Sequence, residues 1–291
     1  MNHKQLLLTT VYISLFVQIL TGGLDIYALT LNYPSEALIL KSLLWLETFV
    51  QVIEGTFYVW LVNQFRLINI ENITSKRYFD WMITTPTMLF TLCIYLDYLN
   101  QRRIKSASAD LHSSGSMTGK DFNATPLGRI EILSGLRNSK KENIENHSTP
   151  KPNHKTSKPS NSFTVLYESF ENNKETIIPI VILNAIMLLF GYLGEINKMN
   201  NYLAVFLGFL PFFAMFYIIY ENYAKFTQNG ETLFWYFSVV WSLYGVAALM
   251  PFVWKNISYN ILDIFAKNFF GIFLAYIAII YKNGNQNNYI V

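Results

Sequence analysis

Charged side chains are scarce in this sequence. Asp, Glu, Lys and Arg make up 14% of its 291 residues, whereas a soluble domain carries about 25%. Hydrophobic residues reach 52%, and the formal net charge is only +3. This balance indicates lipid as the solvent, so we expect a membrane protein. We also expect neither an enzymatic activity nor a nucleic-acid partner.

Cysteine is almost absent as well, with Cys93 as the single thiol. One thiol excludes an intramolecular disulfide framework and also a cysteine-based zinc site. We therefore expect no bound metal.

Long apolar runs are abundant. A bilayer core about 30 Å thick requires about 20 mainly apolar residues per spanning helix. Seven runs meet this requirement, at residues 5–31, 37–64, 76–99, 175–195, 201–224, 232–254 and 258–281. The first run is too long for the apolar core of a secretory signal, so we expect it to be retained. The predicted fold class is an all-α membrane protein, a seven-transmembrane-helix bundle.

A polar segment at residues 101–173 separates the first three spans from the last four and is rich in Ser, Asn, Lys and Pro. Such a composition buries too little apolar surface to offset the entropy of ordering, so it predicts a long disordered loop. The chain thus divides into spans one to three (1–100), this loop (101–173), and spans four to seven with a short tail (174–291).

Basic residues in the loop predict the topology. Arg102, Arg103 and Lys105 follow the third span, and the positive-inside rule assigns such residues to the cytoplasm. With seven spans, the N-terminus is then extracellular and the C-terminus cytoplasmic. The loop either binds a membrane surface or partner, or is a solvated linker.

Ionisable residues within the spans are few. Lys267 lies near the middle of the seventh span, and Asp263 precedes it by four residues, on the same helix face. A charge at the bilayer centre costs at least about 2.5–3.5 kcal/mol, which makes both residues candidates for a functional site. The pair is either a plain buried salt bridge or, since a buried lysine is a good Schiff-base nucleophile, a covalent cofactor site.

The third span carries a second polar stripe. Arg77, Asp80 and Thr84 are spaced three and four residues apart and therefore share one face. The two acids, Asp80 and Asp263, then balance the two bases, Arg77 and protonated Lys267. A neutral group of four charges is far less costly in the membrane than any one of them alone.

Two sequence strings resemble microbial rhodopsins. RYFDWMITTPTML is similar to their third-helix signature, and LDIFAKNFFG is similar to their seventh-helix signature. The resemblance implies all-trans retinal on Lys267 as a protonated Schiff base, with Asp80 as principal counterion and proton acceptor. It also implies Asp263 as the second counterion, with Arg77 and Thr84 in the same group. Photoisomerisation to the 13-cis form would then disturb this arrangement of charges.

The resemblance also implies a chromophore pocket. Trp81 follows the counterion as in the family, and WSLYG in the sixth span supplies two further aromatic residues. The predicted pocket residues are Trp81, Thr85, Met187, Trp241 and Tyr244. In a chain this rich in Phe and Tyr, any one aromatic residue could equally face lipid. Gly245 and Ala248 depart from the family, many members of which have Pro and Trp there.

The usual proton relay of an outward pump is missing from the sequence. Family pumps carry a carboxylic acid eleven residues after the counterion, where this chain has Thr91. Lys255 replaces the acid expected near the start of the seventh span. Acid and base groups with separated pKa values are thus absent at both ends.

The second span favours a channel instead. Glu47 and Glu54 are seven residues apart, about two helical turns, and line one face. The segment LETFVQVIEGTFYVW resembles channelrhodopsins, in particular those of large algal viruses. The resemblance implies a central constriction formed by Glu54, Asn268 and Ser14. Alternatively, Glu54 is a protonated residue bonded to a neighbouring helix, and Glu47 reaches interfacial water.

The likeness to algal channels is incomplete, because Leu61 stands where they have a third glutamate. Their cysteine–aspartate pair corresponds to Thr85 and Asn184 here. We predict a light-gated channel for monovalent cations or protons, embedded in lipid and, as the family implies, assembled as a homo-oligomer. The alternatives are an outward proton pump and a photosensor signalling through the loop.

Overall fold

A computed structural model describes residues 3–67, 73–114 and 161–282 of the chain. Within these ranges there is no β-strand, and the long elements are helices. We label them α1 (His3–Leu29), α2 (Leu38–Leu67), α3 (Ile73–Ser114), α4 (Ser162–Glu195), α5 (Asn201–Asn222), α6 (Gln228–Ala248) and α7 (Phe252–Asp263, Ile264–Asn268 and Phe269–Lys282). The predicted seven-helix all-α fold is confirmed.

Five of these helices are long and apolar enough to cross a membrane, judged over the described residues. The two that fall short are α2 and α6. Helix α2 carries the buried polar residues Glu47, Gln51 and Glu54, and α6 is rich in Trp, Tyr and Ser. These polar and aromatic residues lower the mean hydropathy of both helices. The chain is a multi-pass integral membrane protein.

The surface confirms the membrane environment. Large apolar side chains are exposed on several helices, for example Phe16 (62%), Phe213 (63%) and Trp235 (59%). A water-soluble monomer rarely exposes apolar patches of this extent. By contrast, Arg77 and Glu54 are fully buried. The bundle therefore presents apolar side chains to lipid and holds charged groups inside.

Helices α3 and α4 extend beyond their predicted spans. Helix α3 continues to Ser114, and α4 begins at Ser162, where the side chain of Asn161 accepts a hydrogen bond from the backbone N–H of Phe163. Hydropathy finds only the part of a helix that lies in lipid, whereas an established helix propagates into water one hydrogen bond at a time. The boundaries of the predicted loop therefore move inward, and residues 115–160 lie outside the described ranges.

The described residues up to Arg103 and from Asn161 onward form one compact unit, while the end of α3 beyond Arg103 belongs to a second. In the first unit α1 packs against α2 and α7, α4 packs against α5, and α6 packs against α7. Helix α7 is thus flanked by α1, α2 and α6, and its polar residues Asp263 and Lys267 also contact Arg77 and Asp80 of α3.

A π-helical turn interrupts α7 at Ile264–Asn268. The backbone N–H of Phe269 bonds the carbonyl of Ile264, five residues earlier. The carbonyl of Phe265 accepts a 2.6 Å hydrogen bond from the hydroxyl of Tyr236 in α6. Such turns occur mostly at functional sites, and this one contains Lys267.

Candidate functional site

Lys267 lies at the centre of a buried cluster of carboxylates. Its side chain is 2% exposed, and Nζ is 2.6 Å from Oδ2 of Asp80 on α3. The same nitrogen is 3.7 Å from Oε1 of Glu54 on α2 and 3.8 Å from Oδ1 of Asp263 on α7. Three helices therefore contribute an acid to one amine.

Asp263 is held by hydrogen-bond donors on both oxygens. Tyr244 donates to Oδ1 at 2.8 Å, and Tyr58 and Arg77 donate to Oδ2 at 2.8 Å and 3.1 Å. Three donors, one of them charged, stabilise the carboxylate as an anion. Asp80 differs, because its Oδ1 has no hydrogen-bond partner in the described part of the chain.

Charge balance singles out Glu54. Asp80, Asp263 and Glu54 would carry three negative charges against the two positive charges of Lys267 and Arg77, and an uncompensated charge in the membrane is costly. Neither oxygen of Glu54 has a hydrogen-bond partner among the described residues. Glu54 is thus the acid of this cluster whose charge is left unbalanced by the two bases and by the described hydrogen-bond donors.

On the side of the α1 N-terminus, hydrogen bonds close the site. Arg77 donates to the side-chain oxygens of Asn256 (3.3 Å) and Asn260. Asn256 in turn donates to Thr74 and Asn260 donates to Thr10, both at 2.8 Å. We call these five residues the arginine network. Its side chains are linked directly to one another by these hydrogen bonds.

Two predicted residues bond to backbone rather than to carboxylates. Ser14 is buried, but its hydroxyl donates to the carbonyl of Asn260 at 3.0 Å, so it does not form the predicted contact with Glu54. Gln18, one turn further along α1, lies next to Glu54 without a well-directed hydrogen bond between them. Thr84 donates to the backbone carbonyl of Asp80 at 3.0 Å and not to its carboxylate.

On the side of Lys267 away from the arginine network, buried polar side chains lack hydrogen-bond partners among the described residues. Buried side chains from three helices have nitrogen or oxygen atoms with no hydrogen-bond partner within the described ranges. This polar row consists of Gln18, Thr21 and Asp25 on α1, Glu47, Gln51 and Glu54 on α2, and Asn268 on α7. Buried polar groups in proteins are normally satisfied by protein or by water, so the row is suited to hydration.

Apolar residues follow the polar row. Leu40, Leu43 and Leu44 precede Glu47 on α2 and pack in one cluster with Leu92 of α3 and Leu274 of α7. Beyond them the hydroxyls of Tyr98 and Tyr281 are 2.5 Å apart, with the guanidinium of Arg102 near both rings. The row therefore ends at a layer of leucine side chains that water does not readily enter.

A cavity adjoins Lys267 on the side of α5 and α6. It is lined by the predicted pocket residues Trp81, Thr85, Met187, Trp241 and Tyr244, together with Tyr78, Met88, Phe209, Phe212 and Tyr259. The walls are almost entirely apolar or aromatic, and one amine stands at the end. This combination fits a long apolar polyene attached through an aldehyde.

Gly245 explains one departure from the family. A Cβ atom there would lie 2.6 Å from the ring of Phe209, so the glycine makes room for a phenylalanine that lines the cavity.

Thr85 connects α3 to α4. Its hydroxyl accepts a hydrogen bond from Asn184 of α4 at 2.9 Å and donates one to the carbonyl of Trp81. The pair corresponding to the algal cysteine–aspartate is thus a hydrogen-bonded one.

Sequence reasoning missed four of the seven residues of the polar row and most of the arginine network. The polar positions on α1 are 14, 18, 21 and 25, and those on α2 are 47, 51, 54 and 58. Both sets follow the same spacing of four, three and four residues, which is a single helix face. That repeated spacing was the available signal for Asp25 and Gln51.

A buried lysine among carboxylates, next to an aromatic cavity in a seven-helix membrane bundle, defines a retinal-binding membrane protein. The chain belongs to the bacteriorhodopsin-like family, whose family model, described as "Bacteriorhodopsin-like protein", matches residues 6–131 and 162–281. Its cofactor is retinal, bound as a Schiff base. A comparison with curated protein sequences returned no match.

Solved structures share the fold at low identity. Viral rhodopsin OLPVRII is 24% identical with a TM-score of 0.63, over 94% of this chain and 99% of that one. Xanthorhodopsin, a light-driven ion pump with dual chromophore, is 15% identical with a TM-score of 0.58, over 98% and 97%. The light-driven proton pump of Coccomyxa subellipsoidea is 13% identical with a TM-score of 0.56, over 93% and 96%. At these identities the comparisons establish the fold alone.

Proposed function

We propose that this protein is a light-gated cation channel whose retinal is attached to Lys267. The observation that carries the proposal is the polar row, which leads from Lys267 toward the opposite end of the bundle between α1, α2 and α7. Rows of carboxylates and amides attract cations and support hydration. A protein that moved only protons over a short distance would not need seven such side chains.

The cavity residues hold the chromophore. The amine of Lys267 is the one nucleophile in the described cavity lining that condenses with an aldehyde, and Trp81, Trp241 and Tyr244 bound the space beside it. Retinal bound there supplies a cationic Schiff base that changes its geometry when it absorbs light. Asp80 and Asp263 provide the negative charge that keeps such a cation stable at this depth.

The carboxylates link this site to the polar row. Oδ2 of Asp80 is positioned to take a proton from the nitrogen of residue 267, since the two atoms are 2.6 Å apart. Glu54 is 3.7 Å from the same nitrogen and is also a member of the row. A change of charge at this nitrogen is therefore felt directly by Glu54, which lies next to Gln18. Asn268, adjacent to Lys267 in sequence, moves with the same turn.

The channel that we propose has a closure at each end of its pathway. The arginine network closes one end with hydrogen bonds, and the leucine layer closes the other with apolar side chains. Conduction requires both to open, through rearranged hydrogen bonds at Arg77 and through hydration at Leu40 and Leu274. This arrangement is that of a closed channel in the dark.

An outward proton pump is the second candidate, and the short Lys267–Asp80 contact favours it. Two other observations weigh against it. The hydroxyl of Thr91, at the donor position, bonds the backbone of Thr87 at 3.0 Å. Lys255, at the outer position, is paired with Glu195 at 2.9 Å. Neither residue is itself an acid, and the one carboxylate that contacts Lys255, that of Glu195, is held in an ion pair, which does not suit the relay of a pump.

We also propose the topology that the sequence predicts, with the N-terminus extracellular. Arg102, Arg103 and Lys105 lie in the part of α3 that follows its apolar section. Cytoplasmic placement of these residues puts the arginine network outside and the leucine layer inside.

Whole-cell photocurrents at several voltages test the channel. We expect a current that reverses sign near the equilibrium potential of the permeant cation and shifts when that cation is diluted outside. Lys267→Ala should abolish the current, and Glu54→Ala should change its size or reversal potential. Glu231→Ala is the matched control, because Glu231 lies outside the row and accepts a hydrogen bond from Tyr220. A current of one direction at every voltage would overturn the channel in favour of a pump.

A further inference from the structure

Asp25 is a buried acid that the conduction scheme has not yet used. It is fully buried on α1, and neither oxygen has a hydrogen-bond partner in the described residues. Glu47 on α2 is also fully buried and has no well-directed hydrogen bond in the described residues; it lies beside Thr91 of α3 and is close enough to Asp25 for their charges to interact. Two carboxyl groups thus share one interior region.

Gly271 of α7 brings Asp25 and Gln51 together. A Cβ atom on Gly271 would lie 3.0 Å from Oδ2 of Asp25 and 3.2 Å from the amide nitrogen of Gln51. It would also lie 3.3 Å from the methyl group of Thr21. The two polar side chains therefore converge above a glycine, one helical turn from Lys267, and a larger residue would intrude between them.

Gln51 is the independent sign that a ligand belongs here. It is 4% exposed, and both its amide nitrogen and its amide oxygen lack a hydrogen-bond partner in the described ranges. Rotation about the last side-chain bond exchanges the two atoms, so the amide can present oxygen to the same point as Asp25. An unpartnered amide buried beside two carboxyls is explained by a third group that binds oxygen.

Electrostatics favours a positive charge at this point. Among the ion pairs in the described part of the chain, none involves Asp25 or Glu47. The carboxylates nearer Lys267 already neutralise that amine. Oxygen ligands from carboxylates and amides are those that hard cations prefer. In the low dielectric of a bundle interior, such a cluster is stable only with a cation or a proton to balance it.

We propose that Asp25, Glu47 and Gln51 form a binding site for a monovalent metal cation within the pathway. This deepens the proposed function and rests on it. A conducting site must hold an ion well enough to admit it and weakly enough to release it. Because the Coulomb energy doubles with the charge of the ion, a divalent ion would leave slowly. A monovalent ion shares the site with one proton, so that the two acids carry a single negative charge for it to balance.

The site also has a place in the conduction sequence. It lies between Glu54, which faces Lys267, and the leucine layer, which ends the row. A cation that has passed Glu54 from one direction, or the leucine layer from the other, is bound between Glu54 and the leucine layer. Asp25 and Glu47 would thereby set which cations the channel prefers.

The test is thermal unfolding of the purified pigment in the dark. Melting temperatures are measured in NaCl and in N-methylglucamine chloride of equal ionic strength, because a ligand that binds only the folded state stabilises it. We expect a stabilisation that saturates with Na⁺ in the native chain. In Asp25→Asn and Glu47→Gln the apparent affinity should fall about tenfold or more, which corresponds to about 1.4 kcal/mol or more.

Two further variants keep the result interpretable. Gly271→Ala leaves every charge in place but fills the space between Asp25 and Gln51, so it should also remove the Na⁺ effect. Asp97→Asn is the control, since Asp97 accepts hydrogen bonds from Gln101 of α3 and Asn173 of α4, is not a member of the polar row, and should leave the Na⁺ effect unchanged. Equal melting in both salts, or an Asp25→Asn variant with native Na⁺ dependence, would overturn the site.

Photocurrents separate this inference from the channel proposal. If the native chain conducts cations but the Na⁺-dependent stabilisation is absent, the site is wrong and the channel stands. If the stabilisation is present but the photocurrent has one direction at every voltage, the channel is wrong and the cation site stands. If both hold, Asp25→Asn should shift the reversal potential between Na⁺ and K⁺ solutions.

Discussion

Tyr58 of α2 donates a 2.8 Å hydrogen bond to Asp263 of α7. The same carboxylate oxygen accepts from Arg77, so the Asp263 anion is fixed by donors from α2 and α3. Asp80, by contrast, has one oxygen bonded to Lys267 and one without a partner in the described residues. The two aspartates beside the lysine are therefore not equivalent: Asp263 is held by three hydrogen-bond donors, whereas Asp80 has one oxygen without a partner in the described residues.

Removal of the fixed anion should destabilise the fold. Asp263→Asn leaves Arg77 buried without its charged partner, which costs about 3–5 kcal/mol. Tyr58→Phe deletes one hydrogen bond to the same carboxylate and should cost about 1–3 kcal/mol. Thermal unfolding of the purified pigment measures both. Equal stability of Asp263→Asn and the native protein would contradict the role assigned to the ion pair.

The amine of Lys267 should be essential for the pigment independently of its charge. Lys267→Arg keeps a positive charge near Asp80 but cannot form a Schiff base with an aldehyde, so the purified protein should stay colourless after addition of retinal. Lys255→Arg, at the other buried lysine, should give a normal pigment. Visible absorption spectra decide the matter, and a coloured Lys267→Arg protein would refute attachment at this residue.

Loss of Asp80, the predicted principal counterion, should change the colour of the pigment. Asp80→Asn removes the negative charge 2.6 Å from Nζ of Lys267, and with it much of the electrostatic stabilisation of a positive charge at that nitrogen. We expect an absorption maximum at longer wavelength. Asp97→Asn, an acid in the same helix but outside the cluster, should leave the spectrum unchanged. Identical spectra for both variants would argue against Asp80 as the principal counterion.

The glycine in α6 should be required for the shape of the cavity. In Gly245→Ala the new methyl group would meet the ring of Phe209 at 2.6 Å and push it into the cavity, so pigment yield should drop and the spectrum should shift. Gly23→Ala is the matched control, because nothing lies within 4 Å of a Cβ atom there. In a helix that substitution should be neutral or stabilising by up to about 1 kcal/mol. Equal pigment yields would show that Phe209 moves aside at no cost.

Much of the fold was predictable because membrane spans have a strong signal. Seven apolar runs gave the seven helices, and two short strings around Asp80 and Lys267 gave the family and its cofactor. Helix ends were less predictable: α3 reaches Ser114 because helical hydrogen bonding does not stop where the lipid stops. The roles assigned to individual site residues stay predictions until the variants are measured.

The polar row shows what one sequence hides. Glu47 and Glu54 stood out as charges in an apolar run, whereas Asp25 lies near the end of its span, where an acid commonly reaches interfacial water. Only the packing of α1 against α2 and α7 shows that its carboxyl points inward. Ser14 was assigned to Glu54 from the resemblance, but Gln18 is the residue that lies beside it. Facing directions within a bundle depend on the rotation of each helix, which a single sequence fixes poorly.

The π-turn around Lys267 has a mechanical consequence. It holds one residue more than an α-helical turn would, and this surplus is spare length in the middle of α7. When the end of the Lys267 side chain is displaced, the backbone can adjust by moving the extra residue of the π-helical turn along the helix. The rest of α7 then keeps its position against the neighbouring helices. The hydrogen bond from Tyr236 connects the same turn to α6. A backbone movement at Lys267 is therefore transmitted to α6 before the other helices.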